Sequence, residues 1–300
     1  MKRPALFLWM VPAICLAVAL PATATANTSG SEKLYYLALG DSLSVGVQPK
    51  ANGANKNTRQ GYAHQIARRA GHKLVNLGCG GATTASLIRG DKACSPKRKT
   101  IYRNKSAKTS QLAEAERFLR DNRGRVAFVT IDIGANDVAS CAAGTGVDIE
   151  CVNKGIAQIR RNGPAIAKRL RRAAGKKVPL AVMDLYNPFL QRWLVDDGGK
   201  TIAELSVDLA RGQVNKELVA AFRPRRFRIA RVAKAFDTYV PFERTTTYRG
   251  QAGVPLAVAR ICRLTWMCDT APRGPNIHPR KAGYTEIAGA FRKVLGKVAR

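Results

Sequence analysis

Histidine is scarce in this chain, three residues in 300, and the scarcity excludes a good deal. No two cysteines have the CxxC spacing of a zinc ribbon, and with so few histidines a zinc site is the weaker reading of the cysteines, so no metal is expected. Aromatic residues make up 7% of the chain and nowhere interleave with its basic runs, as a surface that stacks bases requires. Beyond Leu20 no stretch is apolar enough to span a bilayer. Internal repeats, low-complexity linkers and breaks in composition are also missing, so nothing divides the body of the chain into two domains. Acidic side chains are few: 20 stand against 51 lysines and arginines, a formal net charge of +31.

So large a positive excess attracts anionic polymers or anionic lipid. The charge is spread along the chain, however. Arg160, Arg161, Lys168, Arg169, Arg171, Arg172, Lys176 and Lys177 lie on or just after one helical stretch, and Arg223, Arg225, Arg226 and Arg228 in a connection. Runs of this kind are ordinarily solvated faces. The expectation is a monomer with non-specific adhesion to anionic polymers or lipid surfaces and no specific nucleic-acid recognition.

The chain opens on Lys2 and Arg3, an apolar run from Ala5 to Leu20, then Pro21 and small residues to Ala26. A basic start, a short apolar core and an Ala-Thr-Ala exit describe a cleaved export signal, residues 1–26, with cleavage after Ala26 or alternatively Ala24. Residues 27–300 then form a single domain, expected outside the cell. Six cysteines remain in it, and an even count in an exported chain points to disulfides. Six allow 15 connectivities, but these fall in three close pairs, which gives Cys79–Cys94, Cys141–Cys151 and Cys262–Cys268 as the expected bridges. Each would stabilise by roughly 2–3 kcal/mol in the chain-entropy model.

Leu34 to Leu39 is a continuous apolar run of the kind buried on both faces in a parallel sheet. Further strands are predicted at Lys73–Leu77, Val126–Ile133, Val178–Leu185 and within Phe227–Phe236. Helices are predicted at Gly61–Ala70, Ser110–Asp121, Val152–Ala174, Ile202–Phe222 and Ala282–Val294. Strands alternating with helices imply an α/β fold, a three-layer α/β/α domain with a parallel sheet of about five strands.

The polar residues that follow the strands carry the chemistry. Gly40-Asp41-Ser42 follows the first strand, Gly80-Gly81 the second and Asn136 the third, all at the carboxyl edge where open α/β sheets bind ligands. A nucleophilic serine needs a base. His64 sits within a helical pattern and His72 in the turn after it, while His278, in Asn-Ile-His-Pro, precedes the last helix and is free to face the same crevice.

These residues give the chain its resemblance to a known family. Gly40-Asp41-Ser42-Leu43, Gly81 before Ala82-Thr83, Gly134-Ala135-Asn136-Asp137, and His278-Pro279 with Gly283-Tyr284 resemble, in order, the four blocks of the SGNH or GDSL hydrolases. Within that family the chain is most similar to secreted bacterial lipases and esterases with three disulfides. The resemblance implies a flavodoxin-like sheet, carboxylic ester hydrolysis without a cofactor, Ser42 as nucleophile and His278 as base. The backbone N–H groups of Ser42 and Gly81 and the amide of Asn136 would form the oxyanion hole. Most members carry an aspartate three residues before the histidine; Pro275 stands there, so its main-chain carbonyl is the expected orienting acceptor and Asp269 the less favoured one. Asp41 and Asp137 are expected to hold loops. The three bridges would brace the loops that carry the donors and the base. Leu43, Val47, Tyr186, Phe189, Trp193 and Trp266 are candidate pocket residues for a lipid-like or aryl ester. A polysaccharide O-acetylesterase shares the chemistry, and a non-catalytic basic adhesion module is the remaining alternative.

Overall fold

Five strands, β1 (Tyr35–Gly40), β2 (Lys73–Asn76), β3 (Val126–Asp132), β4 (Leu180–Met183) and β5 (Phe227–Ala230), pair in parallel in the order β2-β1-β3-β4-β5. The order reverses between β1 and β3, the position at which doubly wound sheets open a crevice beyond the strand ends. All seven residues of β3 are buried, as are the last five of β1, which accounts for the apolar run of β1 and for the mostly apolar β3, whose Thr130 and Asp132 are buried polar groups. This is the α/β architecture expected from the sequence, in a computed structural model that describes Met1 and residues 33–90, 110–142 and 146–299. The expected leader lies outside the described residues apart from Met1. Cys94, the expected partner of Cys79, lies outside them too.

The principal helices are α1 (Tyr62–Ala70), α2 (Thr84–Arg89), α3 (Gln111–Asp121), α4 (Ile149–Ala174), α5 (Asp197–Leu209), α6 (Asn215–Phe222), α7 (Leu256–Leu264) and α8 (Lys281–Leu295). α1 and α8 pack together on one face of the sheet, while α2, α3 and α6 gather around α4 on the other. Their starts are set by local capping. The Ser110 hydroxyl accepts from the Ala113 amide, and Asp148 and Asp196 accept from Cys151 and Gly199; such caps satisfy amides that have no partner within the helix.

The long helix predicted over Ile202–Phe222 is two helices. Asp196 caps an earlier start, five residues before Ile202, through Gly198 and Gly199, whose low helix propensity masks it in the sequence. A π-turn over Ala210–Val214 then separates α5 from α6. The hairpin Thr245–Tyr248 with Gln251–Pro255, and α7 after it, are additions to the predicted elements; only Val254 and Pro255 of the hairpin strands are buried, so no clean alternation marks them in the sequence. The bridges Cys141–Cys151 and Cys262–Cys268 form as expected, with Cα atoms 5.4 and 5.1 Å apart.

Candidate active site

At the carboxyl end of β1 the backbone turns through Gly40, whose φ is +134° and whose Cβ, were there one, would stand 2.1 Å from the Asp132 carbonyl oxygen. Only glycine fits, and the turn delivers Asp41 and Ser42 to the sheet edge. Gln111 clamps it from α3, its amide accepting from the Gly40 N–H at 3.0 Å and donating to the Gly40 carbonyl at 2.8 Å.

Below the turn lie two buried acids. The Asp41 amide donates to Asp132 Oδ2 at 3.0 Å, and the Tyr62 hydroxyl donates to Asp132 Oδ1. Burial pushes the Asp132 carboxyl well above the usual range, and the Asp41 carboxylate beside it pushes it further. Burial raises Asp41 as well, but hydrogen bonds from Asp132, the Leu43 amide and Ser42 oppose the rise. Of the two, Asp132 is pushed up the further, which favours the proton on Asp132 and the charge on Asp41. Asp41 Oδ1 accepts from the Leu43 amide at 2.9 Å and lies 3.5 Å from the Ser42 hydroxyl; Oδ2 accepts from Asn136 Nδ2 at 3.2 Å. Asp41 and Asp137 hold loops as expected, the latter by accepting from the amide and hydroxyl of Thr84 at the start of α2.

His278 lies on a short strand, Asn276–Pro279, that pairs with Thr265–Trp266. Tyr186 donates to the Ile277 carbonyl at 2.6 Å, and Gln48, itself held by Trp266 Nε1 at 3.0 Å, donates to the Pro279 carbonyl. The imidazole corrects one expectation. Its Nδ1 is bonded to Asn276 Oδ1 at 2.6 Å rather than to the Pro275 carbonyl, and Asp269 is taken up by Arg280 and Arg249. The same Oδ1 accepts from the His278 backbone N–H at 3.0 Å, while Nδ2 donates to Asn55 Oδ1 at 3.0 Å. Because a backbone N–H can only donate, the atom facing it is the oxygen. Nδ1 must then carry the proton, which leaves Nε2 with a free lone pair. Burial lowers the His278 pKa to about 4, so the ring is neutral at neutral pH. The sequence signal for Asn276 was its place two residues before the histidine, where an Asx-type turn lets the side chain fold back.

Ser42, Asn136 and His278 line one cavity together with Asp41. Its volume is about 110 Å³, and its walls are mostly apolar: Leu43, Val138, Val152, Leu185, Tyr186, Phe189, Leu209, Val214 and Ile277. The π-turn between α5 and α6 supplies part of the wall, a common use of that distortion. Of the candidate pocket residues, Leu43, Tyr186 and Phe189 reach the cavity; Val47, Trp193 and Trp266 do not line it.

Gly81 is not part of the lining either. It sits at φ +82° in the turn after β2, where a Cβ would meet nothing within 4 Å, so the turn and not crowding asks for glycine. The next residue, Ala82, accepts from Asn136 Nδ2 at 3.0 Å and ties that turn to the cavity. Among the described residues the backbone N–H groups of Ser42 and Gly81 donate to no protein acceptor. His64, half-buried in α1, and His72, bonded to the Val298 carbonyl, stand apart from the cavity.

No curated protein matches this sequence. Among solved structures, phospholipase A1 from Streptomyces albidoflavus NA297 is similar at a TM-score of 0.55 and 16% identity, over 87% of this chain and 99% of that one. A lipase/acylhydrolase from Enterococcus faecalis is similar at a TM-score of 0.44 and 14% identity, over 88% and 96%. The first of these supports the fold. The model of the GDSL-like lipase/acylhydrolase family matches residues 38–286, from within β1 to within α8. With four ordered sequence blocks on a 2-1-3-4-5 parallel sheet inside that match, the chain belongs to the GDSL-like lipase/acylhydrolase family.

Proposed function

We propose that the protein is a serine esterase of the lipase type, acting on carboxylic esters with an apolar acyl group. The observation that carries the reading is the hydrogen bond from His278 Nδ1 to an asparagine oxygen of fixed orientation, which leaves the Nε2 lone pair free on a residue that lines the same cavity as Ser42. Nε2 takes the Ser42 proton as Oγ attacks the ester carbonyl. The tetrahedral intermediate expels the alcohol, which receives that proton, and water then releases the acid from the acyl-serine by the same steps.

The oxyanion is received by the unengaged amides of Ser42 and Gly81. Asn136 joins them by exchanging its longer, 3.2 Å bond to Asp41 for the developing charge. One such donor is typically worth about 10²–10³ in turnover. The mostly apolar lining, with Val138, Val152, Leu209 and Val214 beyond the serine, favours an apolar acyl chain over polysaccharide deacetylation. Removal of residues 1–26 on export, and action outside the cell, complete the reading; two disulfides in the described chain are in keeping with it.

The test is hydrolysis of nitrophenyl esters of graded acyl length by the protein and by Ser42→Ala. We expect the variant to lose at least about 10³ in kcat and the parent to prefer medium or long acyl chains over acetyl. Equal turnover by both proteins would overturn the role of Ser42, and preference for acetyl would favour the deacetylase.

A further inference from the structure

In sequence the basic residues are scattered, but a parallel sheet begins all its strands at one edge, and the fold collects there what the chain spreads out. Lys33 precedes β1, Lys73 opens β2, Arg123 precedes β3, Lys176 and Lys177 precede β4, and Arg223 and Arg225 precede β5. All seven are exposed, and none takes part in an ion pair among the described residues. The nearby carboxylates are already matched: Asp121 pairs with Arg117, and Glu116 with Arg169, whose guanidinium holds it below the usual range.

Arg171 makes the arrangement deliberate in structural terms. Its guanidinium donates to the carbonyls of Gly175 and Val178 on one turn and of Arg225 and Arg226 on the next. One cation is thus used to hold two cation-bearing turns side by side against their mutual repulsion. An anion bridging those turns would relieve it.

The opposite edge differs. α4 is about 39 Å long and starts there with Asp148 and Glu150, next to Asp137, then ends among the basic turns. The cavity with Ser42 opens at its acidic end.

We propose that the edge where the strands begin is a docking face for a flexible polyanionic chain. A bilayer is the poorer occupant. The large apolar side chains exposed at this edge are Leu34 and Val298, at 39% and 37%, too little to insert. A bilayer bound here would also leave the cavity on the far side of the molecule, out of reach of a lipid ester; that exclusion alone rests on the esterase reading. A polymer that holds the protein by this edge leaves the cavity open to solvent-borne substrate.

The experiment measures binding of the full protein to long-chain inorganic polyphosphate at fixed ionic strength, with two quadruple glutamine variants of equal charge change. One replaces Lys176, Lys177, Arg223 and Arg225; the other replaces Lys50, Lys56, Arg59 and Arg273, exposed cations of the loops around the cavity edge. Thermal melting checks that both are folded, so the binding result is independent of hydrolysis. The first variant should bind at least about tenfold more weakly and show a shallower salt dependence, and the second should lose no more than about threefold. Equal losses in the two variants, or no loss in the first, would overturn the docking face. Tighter binding to phosphatidylglycerol vesicles than to polyphosphate through the first four residues would overturn the polymer as its occupant.

Discussion

The turn that carries Ser42 and the loop that carries His278 face one cavity, yet they are held by opposite chemistry. The serine turn rests on acids inside the sheet: the buried carboxyl groups of Asp41 and Asp132, a tyrosine and a glutamine clamp. The histidine loop rests on neutral amides and carbonyls, Asn276 with Asn55, Tyr186 with Ile277 and Gln48 with Pro279. The difference follows from where each stands. A turn on a central strand is cut off from water, where an acid can be retained only if neighbours share its proton or its charge. The loop at the rim carries its charges, Arg280 with Asp269, away from the ring, and the group that meets the imidazole is a neutral amide, so the imidazole is oriented without being made more basic.

The largest effect that would break the contrast is on stability. Asp132→Ala deletes the acceptors of two buried donors, Asp41 N–H and Tyr62 O–H, and should lower the unfolding free energy by about 3–4 kcal/mol. Asp132→Asn keeps the shape and the neutral state that we assign to this acid, and should cost less than about 1.5 kcal/mol. Denaturant melts of the two variants check this. Equal losses would mean that the turn needs both carboxyl oxygens of Asp132, which a neutral amide with one acceptor does not supply.

A smaller effect should appear on the other side. Asn276→Ala frees the imidazole to rotate and change tautomer, and kcat should fall by roughly 10–10² with the melting temperature little changed. A matching loss of stability would instead make Asn276 a strut of the loop.

The smallest effect sharpens the comparison through pH. In the parent, Nε2 accepts a proton only while the ring is neutral, so kcat/KM should hold as pH falls and decline near the ring's pKa of about 4. Asn276→Asp places a carboxylate against Nδ1, stabilises the imidazolium and should move that acid limb upward by about one unit or more. An unmoved limb would mean that another group controls it.

Much of this was legible in the chain. β1 is an unbroken apolar run and β3 a mostly apolar one, so their burial and parallel pairing followed from composition, and the glycine, serine and asparagine at their ends followed from strand alternation with helices. Two contributors were hidden for different reasons. Asp132 stood inside the β3 run, where a lone acid among buried residues was a signal left unread. Asn276 stands two residues before His278, whereas the family spacing of three points to Pro275, and spacing alone does not show which atom folds back onto the ring.

The sequence by itself determined the parallel sheet and which residues stand at the ends of its strands, because burial and turn chemistry are properties of short stretches. Only the tertiary structure decided which neutral atom orients His278, which of two adjacent acids keeps its proton, and that cations from five separate stretches share one edge. Each of these depends on distances between groups far apart in the chain. Hydrogen bonds and charges act over a few ångströms, and those distances are set only when the strands pair.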